Sequence, residues 1–296
     1  MSSSSTPSES LVFVVSGASR GLGFAIVRAA LRARHRVVAG ARGQSDALDV
    51  LAAEYADRLV VVPLDVTDSR AAQRAVDTAV DRFGRLDVVV NNAGYANIGA
   101  IEDVDFDDFR AQVDTNFFGV VRLTRAALPI MREQRAGHII QISSVGGRLA
   151  TAGLAAYQSA KWAVGGFSSV LAAEVAPLGI RVTVLEPGGM RTDWAGSSMH
   201  IDAIRPEYAE TVGRMAGLHN GQTTAASDPA KVARLVLDVV ALDEPPLRLL
   251  VGADAYAYAT SAGRTLLAED ERWRHLSEST TADDASAEHV DPLGQS

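Results

Sequence analysis

Apolar, strand-like runs alternate with amphipathic segments of helical period over most of the chain. The strand-like runs are 11–16, 36–41, 59–63, 86–91, 138–143, 180–186 and 247–251, and the helical segments lie near 21–33, 45–56, 68–83, 106–133, 157–177 and 229–241. Such alternation builds a parallel sheet with helices on both faces and a ligand crevice at the carboxyl ends of the strands. The pattern predicts a single α/β domain with a doubly wound parallel sheet of about seven strands.

Two regions depart from this alternation. Residues 188–224 mix Gly, Ser, Met and Trp with a short helical piece near 206–217, and residues 277–296 are Ser, Thr, Asp, Glu and Ala with almost nothing apolar. A segment with so little apolar surface cannot form a core. We therefore expect a flexible N-terminal tail over 1–10, a folded domain over 11–276 and a disordered acidic tail over 277–296.

Composition narrows the class of protein. The chain has 296 residues, 47% of them hydrophobic, a net charge of −8 and no basic stripe interleaved with aromatic residues, which argues against nucleic acid as a partner. It has no cysteine, and His138, His200 and His219 are too scattered for a metal site, so we expect no metal. Neither a signal peptide nor an apolar run long enough to span a membrane is present, and a cytoplasmic protein is expected.

The first strand-like run, LVFVVS, leads into a glycine turn and then into a helical segment. The turn reads Gly17-Ala18-Ser19-Arg20-Gly21-Leu22-Gly23. Glycine permits a tight turn and lets a phosphate approach bare backbone at the N-terminus of the helix. A glycine-rich turn can also be only a loop, so this motif alone does not decide the function.

Tyr157 and Lys161 are four residues apart, which places phenol and ammonium on the same face of one helix. A neighbouring positive charge favours the phenolate and lowers a phenolic pKa from its usual value near ~10. The spacing alone also fits an exposed aromatic residue beside a solvated lysine. Ser144 lies directly after the strand HIIQIS, where its hydroxyl can bind a substrate oxygen. Its neighbour Ser143 is the weaker candidate.

More motifs follow at the ends of predicted strands: Asn91-Asn92-Ala93-Gly94 closes LDVVV, Asp65 follows LVVVP, and Pro187-Gly188 ends IRVTVLE. With the glycine turn, Asn116, Ser144 and the Tyr-x-x-x-Lys pair, they make residues 11–255 resemble the short-chain dehydrogenase/reductase family. That resemblance implies a Rossmann-type fold. The stretch Ser144-Val145-Gly146-Gly147 is similar to the hydroxysteroid and retinol dehydrogenase branch. Ser16 departs from the family, which most often has threonine there.

The resemblance implies four catalytic residues. Tyr157 is the general acid in reduction and the base in the reverse direction, while Lys161 lowers its pKa and holds the nicotinamide ribose. Ser144 stabilises the substrate oxygen. Asn116 anchors a water that relays protons to Lys161, although an asparagine at this position could instead only kink or cap its helix.

The expected cofactor is NADP(H) in preference to NAD(H). The second strand ends Gly40-Ala41-Arg42, without the acidic residue that binds a free ribose 2′-hydroxyl. Arg20 and Arg42 could bind a 2′-phosphate, or both could be solvated surface residues. By resemblance, Asp65 and Val66 contact adenine. The full set of expected cofactor-binding residues is Gly17, Ser19, Arg20, Gly21, Leu22, Gly23, Arg42, Asp65, Val66, Asn92, Ala93, Gly94, Tyr157, Lys161, Pro187, Gly188 and Thr192.

The segment 188–224, called the lid below, folds over the substrate in the family. Here it carries Met190, Trp194, Met199, Ile201, Ile204, Met215 and Leu218. These side chains favour a small or medium lipophilic carbonyl or alcohol, but they could also pack the lid or line an oligomer contact. By resemblance, a homodimer or homotetramer forms through the apolar faces of FSSVLAAEVAPL and VVRLTRAALPIM.

The leading interpretation is an NADP(H)-dependent oxidoreductase that interconverts a carbonyl and an alcohol. One alternative is a non-catalytic NADP(H)-sensing regulator, and another is an epimerase or dehydratase that retains its cofactor. The intact Asn, Ser, Tyr and Lys set argues against the regulator. The glycine spacing argues against the epimerase, because epimerases of similar fold usually have G-x-x-G-x-x-G.

Overall fold

The computed structural model describes residues 10–191, 199–219 and 226–290. Within them, one parallel sheet consists of β1 (Val12–Ser16), β2 (Arg36–Ala41), β3 (Leu59–Pro63), β4 (Val88–Asn91), β5 (Gly137–Ile142), β6 (Ile180–Pro187) and β7 (Arg248–Val251). The strand order is β3-β2-β1-β4-β5-β6-β7, with every neighbouring pair parallel. The chain reverses its direction of winding between β1 and β4, so a crevice forms at the carboxyl ends of these two strands. The predicted doubly wound sheet is confirmed.

Helices cover both faces of the sheet. They are α1 (Gly21–Arg32), α2 (Asp46–Glu54), α3 (Ser69–Phe83), α4 (Phe106–Val113), α5 (Gly119–Gln134), α6 (Ala155–Val175), α7 (Arg214–His219), α8 (Pro229–Val240), α9 (Ala253–Glu278) and α10 (Ala287–Val290). Helices α1, α2 and α8 pack on one face, and α3, α5 and α6 pack on the other. Strand β1 is buried along its whole length, which explains its unbroken apolar sequence.

The predicted helix over 106–133 is divided in the structure. A wide π-helical turn, Asp114–Phe118, separates α4 from α5, and Asn116 at its centre is fully buried. Such turns are frequent at functional sites because they redirect a side chain within a helix.

Helix α9 was not predicted. Of its 26 residues, only Ala255 and Ala259 are buried, whereas Leu266, Trp273 and Leu276 are exposed. Without a regular apolar stripe against the core, the sequence carries little signal for this helix.

The two predicted tails are described only in part. Residues 1–9 lie outside the described ranges, while the Ser10 hydroxyl donates a hydrogen bond of 2.9 Å to the Arg34 carbonyl. At the other end, α9 continues to Glu278 and α10 lies within the predicted acidic tail. Flexibility of the first tail and disorder of the second stay predictions. None of the helices in the described ranges has the length and apolar character needed to cross a membrane.

Candidate active site

The glycine turn joins β1 to α1 at the crevice. Gly17 and Gly21 have φ angles of +65° and +56°, which other residues rarely adopt. A Cβ atom on Gly17 would lie 2.9 Å from the Cα atom of Ala93, and one on Gly23 would collide with the Gly17 carbonyl oxygen. No side chain caps the N-terminus of helix α1, and its first turn contains no acidic residue. Its first backbone N–H groups therefore have neither a capping side chain nor a carboxylate of that turn as a partner. The backbone here fits a phosphate group.

Ser16 and Asn92 hold the glycine turn against the end of β4. The Ser16 hydroxyl accepts hydrogen bonds from the backbone N–H groups of Asn92 (3.0 Å) and Ala93 (3.2 Å). The Asn92 side chain donates to the carbonyl oxygens of Ser16 and Gly17, both at 3.1 Å. Since these bonds use the Asn92 amide within the chain, Asn92 positions the turn. Sequence reasoning noted Ser16 only as a departure from the family.

Two arginines flank the contact between the glycine turn and β2. The backbone N–H of Ala18 donates to the Gly40 carbonyl at 2.9 Å. Arg20 precedes α1 and Arg42 directly follows β2, and both side chains are exposed. The two arginines place positive charge at this edge of the crevice, where Arg42 also interacts with the Asp65 carboxylate.

Asp65 and Val66, after β3, have different environments. Asp65 is exposed, and its Oδ1 atom accepts hydrogen bonds from the Thr67 backbone N–H (2.9 Å) and hydroxyl (2.8 Å). The Thr67 bonds, and after them the charges of Arg42 and Arg122, hold the pKa of Asp65 below its usual value. Val66 is buried in the core beneath α3 and α5.

Asn116 lies against the loop that follows β4. Its side-chain amide donates to the carbonyl oxygens of Tyr95 and Gln112, both at 2.8 Å, and accepts from the Tyr95 N–H at 3.1 Å. A Cβ atom on Gly94 would lie 2.5 Å from Asn116 Oδ1 and 3.7 Å from Lys161 Nζ. Gly94 therefore separates Asn116 from Lys161, and one lone pair of Asn116 Oδ1 is left for a further donor.

The structure brings Ser144, and not Ser143, to Tyr157. Ser144 follows β5, and its hydroxyl accepts from the Gly146 N–H at 3.1 Å and hydrogen-bonds to the Tyr157 side chain. Ser143 is buried, and its hydroxyl donates to the Lys161 backbone carbonyl at 3.4 Å. Ser144 thus lies in the crevice, whereas Ser143 packs against α6.

Tyr157 and Lys161 stand on α6, and both are buried. Burial raises the pKa of Tyr157 to about 12, and the hydrogen bond from Ser144 opposes this rise. Burial also lowers the pKa of Lys161 to about 8. The Lys161 Nζ atom donates to the Ile142 carbonyl at 2.9 Å and lies 5.5 Å from the centre of the Tyr157 ring. The sequence predicted that Lys161 lowers the Tyr157 pKa, but burial raises this pKa and the Ser144 hydrogen bond opposes the rise only in part.

An apolar cluster surrounds Tyr157. Its other buried members are Ala96, Ile98, Ala100, Leu154, Val212 and Ala216, and Met199, Ile201, Ile204 and Tyr208 pack against them. The lid pairs with the loop that follows β4 through a parallel β-bridge between Ile201 and Ile98. Met190 packs against the core under α1 and α8 instead, and Leu218 is exposed. Thr192 and Trp194 lie outside the described residues.

Asp254, on the unpredicted helix α9, fixes the loop after β6. Its Oδ2 atom accepts from the Gly189 N–H at 2.8 Å, and a Cβ atom on Gly188 would collide with it. Pro187 ends β6. The Asp254 hydrogen bond therefore fixes the predicted Pro187-Gly188 segment at the carboxyl end of this strand. Sequence reasoning missed Asp254 because nothing in the sequence links residue 254 to residue 189.

Comparison with known proteins identifies the family. Residues 11–201 match the family model for short chain dehydrogenase, which covers more than half of the chain. This chain belongs to the short-chain dehydrogenase family. It is an enzyme, an oxidoreductase of that family.

Relatives and solved structures agree with this assignment. The chain is 52% identical to Oxidoreductase BOA17 of Botryotinia fuckeliana over 90% of this chain and 97% of that protein. It is 40% identical to a 3-alpha-(or 20-beta)-hydroxysteroid dehydrogenase of Mycobacterium bovis, over 65% of this chain and 75% of that protein. The predicted resemblance to hydroxysteroid dehydrogenases is confirmed to this extent, that one of them is among the relatives of this chain.

Among solved structures, a short-chain dehydrogenase from Streptomyces avermitilis is 39% identical, with a TM-score of 0.86 over 93% of this chain and 99% of that one. A closed form of serine dehydrogenase complexed with NADP+ is 30% identical, with a TM-score of 0.71 over 81% and 94% of the two chains. A structural neighbour thus binds a nicotinamide cofactor.

Proposed function

We propose that this enzyme uses NADP(H) to interconvert a carbonyl and an alcohol on a small or medium lipophilic substrate, with Tyr157 as general acid and base. The observation that carries the proposal is the Tyr157 hydroxyl, which is hydrogen-bonded to Ser144 within an apolar cluster that includes part of the lid. A buried proton donor beside apolar walls suits a lipophilic carbonyl better than a charged substrate.

The chain's own residues account for the proton. A phenol with a pKa of about 12 is protonated at neutral pH, which is the form that donates to a substrate oxygen during reduction. Ser144 holds that oxygen and stabilises the negative charge that develops on it. Lys161 and Asn116 lie on either side of Gly94, in the direction that leads from Tyr157 toward the loop after β4, and we assign them the proton relay.

The cofactor fits the glycine turn. When bound, NADP(H) supplies or accepts the hydride. The backbone of Gly17 to Gly23 would hold its phosphates, and Lys161 the nicotinamide ribose. We assign the adenine to Asp65 and Val66, with Ser19, Leu22, Asn92, Ala93, Pro187, Gly188 and Thr192 completing the site.

The preference for NADP(H) over NAD(H) rests on charge. Arg20 and Arg42 flank the end of β2, and Ala41 stands where a carboxylate would bind a free 2′-hydroxyl. Arginine can bind a phosphate with two parallel hydrogen bonds. A solved structural neighbour of this chain is complexed with NADP+.

A homodimer or homotetramer and a cytoplasmic location complete the proposal. Phe118, Trp162 and Val170, on the π-helical turn before α5 and on α6, are 47%, 50% and 60% exposed, which is high for large apolar side chains. These faces suit a second copy of the chain. Light scattering at micromolar concentration should give a dimer or tetramer mass, and a monomer would contradict the oligomer.

The function is tested with a panel of ketones and aldehydes of increasing apolar size, assayed by NADPH absorbance with NADH in parallel. We expect turnover of lipophilic carbonyls with NADPH as the better cofactor. NADPH binding without turnover of any carbonyl or alcohol would favour the regulator. Turnover with no net oxidation or reduction of the substrate would favour the epimerase or dehydratase.

A further inference from the structure

A buried ion-pair cluster lies at the carboxyl end of β6. Glu186, the next-to-last residue of β6, has no exposed surface. Its Oε1 atom accepts from Nε (3.0 Å) and Nη2 (2.5 Å) of Arg248, and its Oε2 atom lies 2.5 Å from Nη2 of Arg148. The two arginine side chains are 32% and 31% exposed, so they approach the same carboxylate from equally shielded positions. A buried carboxylate needs such partners to stay charged.

Arg148 connects this cluster to Ser144. The two residues flank a single 3-10 turn, Val145–Gly147, at its two ends. At one end the Ser144 hydroxyl accepts from the Gly146 N–H at 3.1 Å, and at the other the Arg148 N–H donates to the Val145 carbonyl at 2.9 Å. The ion pair to Glu186 therefore fixes the end of the turn that Ser144 begins.

Helix α6 confines the same turn from the other side. A Cβ atom on Gly147 would lie 2.9 Å from the Lys161 carbonyl oxygen, and one on Gly146 would lie 2.9 Å from Gln158 Nε2. Gln158 in turn accepts a hydrogen bond from the Thr151 N–H at 2.8 Å. With so little free space, a shift of the turn must move the Ser144 hydroxyl relative to Tyr157.

We infer that Glu186 and Arg148 are positioning residues that hold the Ser144 hydroxyl on Tyr157. The inference rests on the proposed function, in which that hydroxyl binds the substrate oxygen. Arg248 provides a matched control, because it pairs with the same carboxylate but stands on β7. A Cβ atom on Gly165 of α6 would lie 2.8 Å from Arg248 Nη2, so this guanidinium packs under α6 and not on the Ser144 turn.

The test is a double-mutant cycle between Arg148→Met and Ser144→Ala. Loss of a positioned hydrogen-bond donor usually lowers kcat about 10²–10³-fold. We expect that loss for Ser144→Ala in the native protein and less than about tenfold in the Arg148→Met background, because residues that act as a unit are not additive. Arg148→Met alone should lower kcat about tenfold or more and leave the NADPH dissociation constant within about twofold. In the Arg248→Met background, Ser144→Ala should keep its full effect.

Hydrogen–deuterium exchange of residues 143–150 gives a second measurement that needs no substrate. Exchange should accelerate in Arg148→Met and Glu186→Gln and stay near native in Arg248→Met. If Arg148→Met does not fold, Arg148→Gln, which is polar and also lacks the charge, takes its place in both experiments. Equal Ser144→Ala effects in the native and Arg148→Met backgrounds, or equal exchange in the two arginine variants, would overturn the inference. A native enzyme without carbonyl turnover would instead contradict the proposed function, and the exchange measurement would still test the positioning.

Discussion

The Lys161 ammonium lies 5.5 Å from the centre of the Tyr157 ring, one turn along α6, and both side chains are buried. Burial disfavours the charged form of each side chain. It therefore lowers the pKa of Lys161 to about 8 and raises the pKa of Tyr157 to about 12. The pair is therefore kept near the crevice at a cost in folding free energy. At neutral pH the phenol carries the proton that reduction of a carbonyl needs.

We expect Lys161→Met to stabilise the protein at pH 7. The folded-state pKa of Lys161 is about 8 against an ordinary lysine pKa of 10.5, so between these pH values the unfolded chain binds more protons and the contribution of Lys161 to stability rises with pH. At about 1.36 kcal/mol per pH unit, the penalty below pH 8 is on the order of 3 kcal/mol. The lost hydrogen bond to Ile142 will offset part of the gain.

Urea unfolding at pH 7 and pH 10 measures this effect. The stability difference between Lys161→Met and the native protein should shrink from pH 7 to pH 10. Lys231, exposed on α8, provides the control, since Lys231→Met should change stability little at either pH. A difference for Lys161→Met that is the same at both pH values would contradict the assigned pKa.

Ser16→Ala should loosen the glycine turn. The substitution leaves the half-buried N–H groups of Asn92 and Ala93 without their acceptor, which costs on the order of 1 kcal/mol in unfolding free energy. NADPH should also bind more weakly. Ser16→Thr keeps the hydroxyl and should restore both properties. Unfolding and fluorescence titration would reject the role of Ser16 if the alanine variant matched the native protein in both.

Arg42→Ala should raise the Michaelis constant for NADPH much more than that for NADH. Loss of a charged hydrogen bond costs about 1.5–3 kcal/mol in binding free energy, which reduces the selectivity for NADPH over NADH by roughly one to two decades. Adding Ala41→Asp should reverse the preference, because a carboxylate repels the 2′-phosphate and can accept from a free 2′-hydroxyl.

The matched control for Arg42 is Arg132→Ala, since Arg132 is exposed in the last turn of α5. It should leave both Michaelis constants unchanged. Equal losses for both cofactors in Arg42→Ala would assign Arg42 to the fold or to the shared pyrophosphate. A native enzyme that already prefers NADH would contradict the NADP(H) assignment.

The sheet and the glycine turn could be predicted from sequence because strands of a parallel sheet are apolar on both faces and end in recognisable turn residues. The π-helical turn at Asn116 could not, since a helical period does not show where one turn widens. Asp254 and Glu186 were missed because a lone acidic residue in the sequence carries no sign of its partner. The direction of the Tyr157 pKa was wrong because the degree of burial follows from tertiary packing.

Tyr157→Phe tests the central claim most directly, because it removes the transferable proton and keeps the buried ring. The measurement is single-turnover NADPH oxidation with the best carbonyl of the panel, together with the NADPH dissociation constant by fluorescence. We expect the rate to fall about 10²–10⁴-fold while NADPH binding stays near the native value. A variant that kept a rate within about tenfold of native would contradict the assignment of Tyr157 as the proton donor.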